Sequence, residues 1–250
     1  MRKSILLWIF AAAFLIWTSN LIASRVFTGA STHIDVTGSS VNVTGTTLTL
    51  SAWVRYTTLP SSPTNPFFIA RWDSPGSKLQ YVLGALNPTG KFIFAVGNGS
   101  GTASTTLSCT SSVSTGIWYH VAATLSGSSQ IIYQNGVNCG SNSAGISMGA
   151  NGLRTCIVGA SISGNNCSTV NNYLIGQEAE VAIWNVKLTP NEITALANCT
   201  SPPVVHGGTS LVGYWPLWGI DSPEQDYSGN KDSGAVTGAT AGNHVCGFLQ

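Results

Sequence analysis

The segment from Tyr173 to Ala197, YLIGQEAEVAIWNVKLTPNEITALA, constrains the fold more than any other part of the sequence. From Glu180 to Asn185, apolar residues occupy both alternating faces, and this pattern predicts a strand that is covered on both sides. Residues 189–192 then read TPNE, which places Thr at the N-cap, Pro at the first helical position and Glu at the third. We therefore expect a buried strand followed by one short capped helix near residues 190–197.

Runs of β-forming residues, separated by turn residues, recur along the rest of the chain. The predicted strands are His33–Val36, Leu48–Tyr56, Phe67–Trp72, Tyr81–Leu86, Lys91–Val96, Thr105–Cys109, Trp118–Leu125, Gln130–Gln134, Cys156–Ala160, Glu180–Asn185 and Leu211–Trp215. Asn135-Gly136 is the clearest hairpin signal, because a type I′ turn needs positive φ at both central residues. Many short strands with such turns indicate an all-β sandwich, and residues 24–250 fit a single domain of this class.

Three parts of the chain carry a family resemblance. The pattern G…V..W…L…EI of LamG-like and pentraxin-like domains is matched by Gly176, Val181, Trp184, Leu188, Glu192 and Ile193. GIWYHVAATLSGSSQIIYQNG at residues 116–136 is similar to another segment of those domains, as are FTGASTHIDV and LTLSAWVRY at residues 27–36 and 48–56. The chain thus resembles the LamG-like and pentraxin-like domains of the concanavalin A-like lectin/glucanase superfamily. The resemblance implies a jelly-roll β-sandwich of two antiparallel sheets, a fold that serves lectins, adhesion modules and glycosidases alike.

The C-terminal stretch at residues 211–234, LVGYWPLWGIDSPEQDYSGNKDSG, resembles the YWPL…D.SGN strand and turn that often opens a LamG-like domain. In this chain it follows the capped helix instead. Chain ends that lie close together tolerate such a rearrangement. We therefore expect this strand to lie near the one around Phe27 and to close the sandwich.

Charge is scarce in this chain. Charged residues make up 8% of the 250 residues and the formal net charge is +1, while 43% of the residues are hydrophobic. A core can therefore form, and the surface must consist of Ser, Thr, Asn and Gly, which is typical of extracellular β-proteins. Without a basic patch, neither nucleic acid nor an anionic membrane surface is an expected partner. We expect a glycan or another extracellular surface ligand.

The N-terminus has the pattern of a secretory leader. Arg2-Lys3 precedes an apolar run from Ile5 to Trp17, and small residues follow at Ala23 and Ser24. We predict a signal peptide over residues 1–23, cleaved after Ala23 or Ser24. The alternative is an uncleaved anchor, although a polar Thr-Ser-Asn interrupts the apolar stretch before it reaches the length of a membrane span. Either way the rest of the chain is predicted to be exported, as a secreted or cell-surface protein.

Six cysteines, an even number, fit an oxidising compartment. Fifteen pairings are possible. We predict Cys109–Cys139, Cys156–Cys167 and Cys199–Cys246. The second pair closes a loop rich in Gly and Asn, and the third attaches the C-terminal tail to the end of the capped helix. Zinc binding is the other use of cysteines, but the four histidines do not fall at zinc-finger spacing.

The sequence offers few groups for catalysis. Glu178 and Glu180 are the only close carboxylate pair, and at positions i and i+2 of a strand they are predicted to share one face. Laminarinase-type enzymes use an E-x-D-x-E strand, whereas this chain reads E-A-E-V-A-I from Glu178, with Ala179 between the two glutamates, no central Asp and no final Glu. His120 is expected to share a strand face with Trp118, and without a nearby Ser or Asp motif we interpret it as a hydrogen-bonded framework residue. We predict a protein that is not an enzyme.

Two sets of residues are candidates for ligand binding. Asp226, Asn230 and Asp232 in the DYSGNKD turn could hold one structural calcium ion, although Asp and Asn are also ordinary turn residues. No other cofactor is predicted.

Aromatic faces and amides are the groups that hold sugars. The glycan-binding candidates are Trp72, Asn98, Asn165, Asn172 and Trp218.

Three functions remain open from the sequence. The first is a carbohydrate-binding or adhesion module, which would show an exposed cleft lined by Trp and Asn. The second is a structural cell-surface or particle-decorating protein without a small ligand, which would show a broad apolar or β-edge patch. The third is a glycosidase, which would show two facing carboxylates. The oligomeric state is left open by the sequence.

Overall fold

A computed structural model describes residues 22–29, 32–61, 65–73, 78–102, 104–158, 160–161, 167 and 170–246, and the fold is given for these residues. They form a jelly-roll sandwich of two antiparallel sheets, as predicted. The strands are β1 (Ile22–Thr28), β2 (His33–Val36), β3 (Thr47–Tyr56), β4 (Phe67–Asp73), β5 (Lys78–Ala85), β6 (Phe92–Gly97), β7 (Ser104–Ser108), β8 (Trp118–Ser126), β9 (Ser129–Gln134), β10 (Val137–Asn142), β11 (Thr155–Ile157), β12 (Ala160–Ser161), β13 (Val170–Asn171), β14 (Ile175–Trp184), β15 (Leu211–Trp215), β16 (Gly234–Thr237) and β17 (Thr240–Asn243). The helices are α1 (Pro190–Ala197) and α2 (Pro202–His206), followed by a 3-10 turn at Gly208–Ser210.

The first sheet has the strand order β10-β9-β8-β3-β14-β1-β17, with β15 also paired to β14. The second sheet has the order β16-β2-β11-β4-β5-β6-β7, and β12 and β13 extend it beside β4. Alternate residues of both sheets point inward and form the main core, with fully buried Phe68, Phe92, Phe94 and Trp215 among its largest side chains. The burial of these rings between the sheets stabilises the sandwich by roughly 1.5–3 kcal/mol for each large side chain.

Strand β14 is buried on both faces, which confirms the prediction from its apolar alternation. Val181 and Ile183 point into the main core. Ala182 and Trp184 point outward and join a second apolar cluster with Ile193 and other residues of the helical region. One edge of β14 pairs with β3, and its other edge pairs with β1 along its first half and with β15 along its second half. β15, the strand that we expected to lie near Phe27, therefore follows β1 end to end along the same edge of β14.

Helix α1 begins where the sequence predicts. The Thr189 side chain accepts a hydrogen bond from the Glu192 backbone N–H at 3.3 Å, and Glu192 Oε2 accepts one from the Thr189 backbone N–H at 2.7 Å. This reciprocal pair is the predicted capping box. Ile193 and Leu196 are the buried residues of the helix. The helix thus covers the outer face of the first sheet.

The described residues include no helix long and apolar enough to cross a membrane.

The three disulfides have the predicted pairing, namely Cys109–Cys139, Cys156–Cys167 and Cys199–Cys246. The third joins the residue two positions beyond α1 to the C-terminal tail after β17, as expected. Disulfides form and persist in oxidising compartments. The pairing therefore indicates an extracellular protein.

Some strand boundaries differ from the prediction. The run predicted as Cys156–Ala160 leaves the strand at Ile157, because Val158 takes a positive φ of 61°. The sequence prediction also missed β10, β16 and β17, whose residues are mostly polar or half-exposed and lack apolar alternation. Such strands lie at the ends of the sheets. Their pairing is decided by tertiary context rather than by local pattern.

The predicted signal peptide lies outside the described residues, apart from Ile22 and Ala23. Both proposed cleavage positions fall inside β1, where Ser24 is fully buried and pairs with Gly242. Processing stays a prediction. The mass of the exported protein should show a chain that lacks its first 23 or 24 residues, and a chain that retains Met1 to Trp17 would contradict it.

The capping box gives a second prediction. Thr189→Ala removes the side-chain acceptor for the Glu192 N–H, so the free energy of unfolding should fall by about 0.5–2 kcal/mol in chemical denaturation. Thr189→Ser keeps a hydroxyl at the same place and serves as the matched control. An unchanged denaturation midpoint in the alanine variant would show that the box contributes nothing in solution.

Candidate functional site

The outer face of the second sheet carries an open groove of about 490 Å³. It is lined by Asn65, Phe67, Trp72, Leu79, Val82, Leu86, Ile93, Ala95, Gly101, Ser104 and Thr106. The apolar members belong to β4, β5, β6 and the residue after β5, and their cluster includes no residue of the two described helices. The helices instead pack on the first sheet. The groove is therefore an apolar sheet face that the described chain leaves open to ligands.

Alternation along the strands produces the groove floor. In β6, Phe92, Phe94 and Val96 point into the main core, so Ile93 and Ala95 point into the groove. At the end of the groove formed by β4, the space beside Phe67 depends on Gly84, its partner on β5. A Cβ at Gly84 would come within 2.6 Å of the Phe67 ring and of the Pro66 carbonyl oxygen. A larger residue there would displace Phe67 from the groove.

Two aromatic rings stand at one end of the groove. The ring centroids of Phe67 and Trp72 are 5.2 Å apart and the rings are tilted by 54°. Trp72 is half-buried, so part of its ring remains accessible. The neutral groups of Ser104 and Thr106 lie exposed on the edge strand β7. None of the described lining residues is charged. The groove offers aromatic and aliphatic contacts with neutral hydrogen-bonding groups along its borders.

The structure brings one of the five predicted glycan-binding residues, Trp72, into this groove. Asn98 lies in the loop after β6, but its amide is engaged within that loop with Ser100 and Thr102. Asn172 has a φ of 60°, and its carbonyl accepts the Phe67 N–H at 2.8 Å. Its role there is to hold the start of β4. Asn165 lies outside the described residues.

Trp218 lies elsewhere, in the loop after β15. Its ring centroid is 5.0 Å from that of Tyr227, and the pair is not part of the groove.

Sequence reasoning missed the apolar floor and the polar border residue Asn65. A signal was present, since residues 92–96 read FIFAV and are apolar on both faces of a strand. Such a strand needs a cover or a ligand on each face.

The predicted calcium turn is held together by protein hydrogen bonds. Asp226 Oδ1 accepts the N–H groups of Tyr214 and Ser228, and its Oδ2 accepts the Asp232 N–H at 2.9 Å. Asn230 donates its amide to the Val212 carbonyl at 3.1 Å. Asp232 Oδ2 accepts the Ser40 N–H and hydroxyl. These side chains act as turn residues, and the described part of the chain contains no His, Cys, Asp and Glu group that could hold a metal ion.

The prediction that Glu178 and Glu180 share a strand face is wrong. Ala179 pairs with Trp53 but Ala182 pairs with Ser51, so Glu180 and Val181 stand opposite a single residue of β3. Glu180 has a positive φ of 53°, and this β-bulge reverses the alternation. Glu178 therefore points to the core side of the sheet, like Val54 opposite it. Glu180 points outward, where its Oε2 accepts the Tyr214 hydroxyl at 2.6 Å.

Both glutamates are buried on the first sheet, away from the groove. Burial raises the pKa of Glu178 well above its usual range. Neither of its carboxyl oxygens has a hydrogen-bond partner among the described residues. Burial also raises the pKa of Glu180 to about 7, against the opposing effect of the Tyr214 hydroxyl bond. Two carboxyls on opposite sides of one sheet do not form a glycosidase pair.

His120 lies beside Glu180 in a small cavity that is closed by Cys199, Thr200 and Pro202. Its Nε2 is 2.9 Å from Ser51 Oγ, and the ring is fully buried. Burial lowers the pKa of His120, and together with the smaller effect of nearby His244 it brings the value to about 3. A neutral, buried ring with a hydroxyl partner fits the interpretation as a framework residue.

Comparison with known proteins identifies the family. Residues 28–194 match the Laminin_G_3 family, described as Concanavalin A-like lectin/glucanases superfamily. The chain belongs to this superfamily. The match covers the strands from the end of β1 to β14 and the first five residues of α1. No curated protein sequence matches the chain.

Solved structures of the concanavalin A-like class resemble this chain at low sequence identity. A proposed carbohydrate-binding protein of Bacteroides ovatus ATCC 8483 has a TM-score of 0.65 and 18% identity, with 90% of this chain and 61% of that chain covered. The native heptameric SAP-like pentraxin of Limulus polyphemus has a TM-score of 0.58 and 16% identity, covering 92% of this chain and 98% of that one. This chain thus spans about three fifths of the Bacteroides protein. At such identities the likeness shows a shared fold and leaves function to the site.

The raised pKa of Glu180 leads to a prediction about stability. Between the unfolded value of 4.5 and the folded value of about 7, the folded chain keeps a proton on Glu180 that the unfolded chain has released. The stability contributed by this proton is complete below pH 4.5 and is lost as the pH rises through 7. Glu180→Gln removes the titration and keeps an acceptor for Tyr214. The variant should therefore gain about 3 kcal/mol relative to wild type between pH 4.5 and pH 7.5.

The measurement is the difference in unfolding free energy between the two proteins at several pH values. The pKa values of buried His120 and His244 are lowered to about 3, so the stability that these histidines contribute rises with pH, opposite to the contribution of Glu180. Both proteins contain these histidines, and subtracting one unfolding free energy from the other removes their contribution. A difference that stays constant from pH 4.5 to 7.5 would contradict the assignment to Glu180.

Proposed function

We propose that this chain is an extracellular, non-catalytic module that binds a neutral carbohydrate in the groove of the second sheet. The observation that carries the proposal is the pairing of Phe67 and Trp72 on an open sheet face that has neutral polar groups at its borders. An aromatic face covers the apolar side of a pyranose ring, while amide and hydroxyl side chains exchange hydrogen bonds with its hydroxyls.

The shape and charge of the groove support a sugar over other ligands. A groove of about 490 Å³ is within the size range of small-ligand sites. Because no described lining residue is charged, a bound carboxylate or sulfate would lose its hydration without gaining a partner. The ligand class that fits is therefore uncharged, with one apolar face and hydroxyls at its edge. The similarity in fold to a proposed carbohydrate-binding protein supports the same class.

The placement of carboxylates supports binding without hydrolysis. Retaining glycosidases hold two carboxyls about 5–5.5 Å apart, and inverting enzymes hold them about 6.5–9.5 Å apart, across the scissile bond. The described groove lining includes neither Asp nor Glu. Glu178 and Glu180 lie on the other sheet and point in opposite directions.

The proposal is tested by glycan binding with variants of Trp72. We expect binding to neutral oligosaccharides on a glycan array, with a Kd of about 0.1–1 mM in calorimetry, as is reasonable for a shallow open site. Trp72→Ala should weaken that binding by about tenfold or more, because it removes the largest accessible ring of the groove. Trp72→Phe keeps an aromatic face and should retain most of the affinity.

Val204→Ala is the control outside the groove, since Val204 is 75% exposed on α2. It should bind like wild type. An array without signal at high protein density, or equal binding by Trp72→Ala and wild type, would overturn the assignment of the groove. Release of reducing sugar from β-glucan that disappears in Glu180→Gln would overturn the non-catalytic part.

A further inference from the structure

A second aromatic surface lies far along the chain from the groove residues, in the loop between β15 and β16. It consists of Trp218, Ile220 and Tyr227, and we call it the aromatic ledge. Ile220 is 68% exposed and Tyr227 is 47% exposed, while Trp218 is half-buried with its ring beside that of Tyr227. The ledge lies outside the segment that matches the family. Exposed apolar side chains that cluster in one place commonly mark a binding surface.

A buried ion pair fixes the loop that presents the ledge. Arg25 Nη2 and Glu224 Oε2 are 2.7 Å apart, with side-chain exposures of 3% and 5%. The Arg25 guanidinium also donates to the Asp221 carbonyl, and its Nε donates to Glu224 Oε2 at 2.7 Å. A buried charge needs such partners, so the loop has little freedom to rearrange.

Close packing on the opposite side of the loop has the same effect. Gly219 has a φ of 78°, and a Cβ there would come within 2.6 Å of Ala241 Cα and 2.8 Å of the Ser24 carbonyl oxygen. The loop is thus pressed against β1 and β17 at Gly219, and its apolar side chains at the neighbouring positions 218 and 220 remain at the surface. A binding surface that is ordered before the ligand arrives loses less conformational entropy on binding.

The size and chemistry of the ledge indicate its ligand. Two rings and one isoleucine expose far less than the roughly 1,200 Å² that a stable protein–protein interface buries, so a protein partner is not the expected occupant. The exposed Tyr227 carries its hydroxyl at the edge of the ledge, and Asp221 in the same loop is exposed and disfavours an anionic ligand. A single neutral sugar ring, stacked on the aromatic rings and hydrogen-bonded by the Tyr227 hydroxyl, fits this size, polarity and charge.

We propose that the aromatic ledge is a second carbohydrate-binding site. The groove occupies the second sheet, whereas the ledge rests on β1 and β17 of the first sheet, so the two sites can engage different stretches or different chains of one polysaccharide. Two linked sites raise the apparent affinity for a polymer by about 100-fold or more over either site alone. The ledge does not require the groove, and each site can be tested without the other.

The experiment is affinity electrophoresis in gels that contain mixed-linkage β-glucan, xylan or galactomannan, combined with turbidity of the same mixtures in solution. Four proteins are compared: wild type, Trp72→Ala, Trp218→Ala and the double variant. Wild type should be retarded by at least one polymer and should cross-link it, giving turbidity. Each single variant should lose the turbidity and bind about 100-fold more weakly, and the double variant should not be retarded.

Ile220→Ser and Val204→Ala complete the set. Ile220 is exposed, so its replacement tests the ledge without disturbing packing, and it should weaken retardation of the Trp72→Ala protein further. Val204→Ala should behave like wild type. Retardation and turbidity of Trp218→Ala and Ile220→Ser that equal wild type would overturn the ledge. If Trp72→Ala equals wild type while Trp218→Ala abolishes retardation, the ledge stands and the groove assignment fails. A wild-type protein that none of the three polymers retards would overturn both sites.

Discussion

The hydrogen-bonded ladder around β14 is the interaction on which the rest of this structure depends. β14 pairs with β3 on one edge and with β1 and β15 on the other, so segments from near the start and near the end of the described chain meet on one strand. The β-bulge at Glu180 separates the two halves of this ladder. Its extra N–H is satisfied by the Pro216 carbonyl at 3.1 Å, where the chain leaves β15. Without this bulge the apolar side chains of one half of β14 would point to the wrong face.

The same arrangement decides which sheet is available for binding. Helix α1, α2 and the tail held by Cys199–Cys246 cover the outer face of the first sheet, including Trp53, His120 and Glu180. The second sheet has no helical cover among the described residues, yet its outer face at β4, β5 and β6 is apolar. Glu180 and His120 are enclosed between the first sheet and this cover. The second sheet presents aromatic and aliphatic side chains with neutral borders, which suits binding of an uncharged sugar.

Local sequence predicts the parts of this fold whose signals are local. The TPNE cap and the two-sided apolar alternation of β14 agree with the structure, because each depends on a few neighbouring residues. The three disulfide pairs also agree, although an even number of thiols fixes only the number of bonds and leaves fifteen pairings open. The relative facing of Glu178 and Glu180 could not be predicted, since a bulge that needs a positive φ at a glutamate has no signature in composition. Tertiary pairing with Pro216 selects it.

The candidate site was predictable only in part for a similar reason. Trp72 stands out as an aromatic residue near a loop, but the other groove residues are ordinary strand residues such as Val82 and Ile93. Their outward direction follows from strand alternation, but whether that face is open depends on which sheet lacks a cover, and this is a property of the whole chain path. Asn98 has the right chemistry for a sugar, yet its amide is used within its own loop. Asn172 binds the start of β4 through its backbone carbonyl and is not part of the described groove lining.

The most direct test of the central claim is an NMR titration of the indole N–H signals with a neutral oligosaccharide that binds on the array. Trp184 and Trp215 are fully buried and donate their indole N–H groups to the carbonyls of His206 and Asp232, so their signals serve as internal references. Binding in the groove predicts that the Trp72 signal shifts progressively and saturates with the bound fraction, while the two reference signals stay in place. A titration that saturates with the Trp72 signal unmoved would contradict the groove as the binding site.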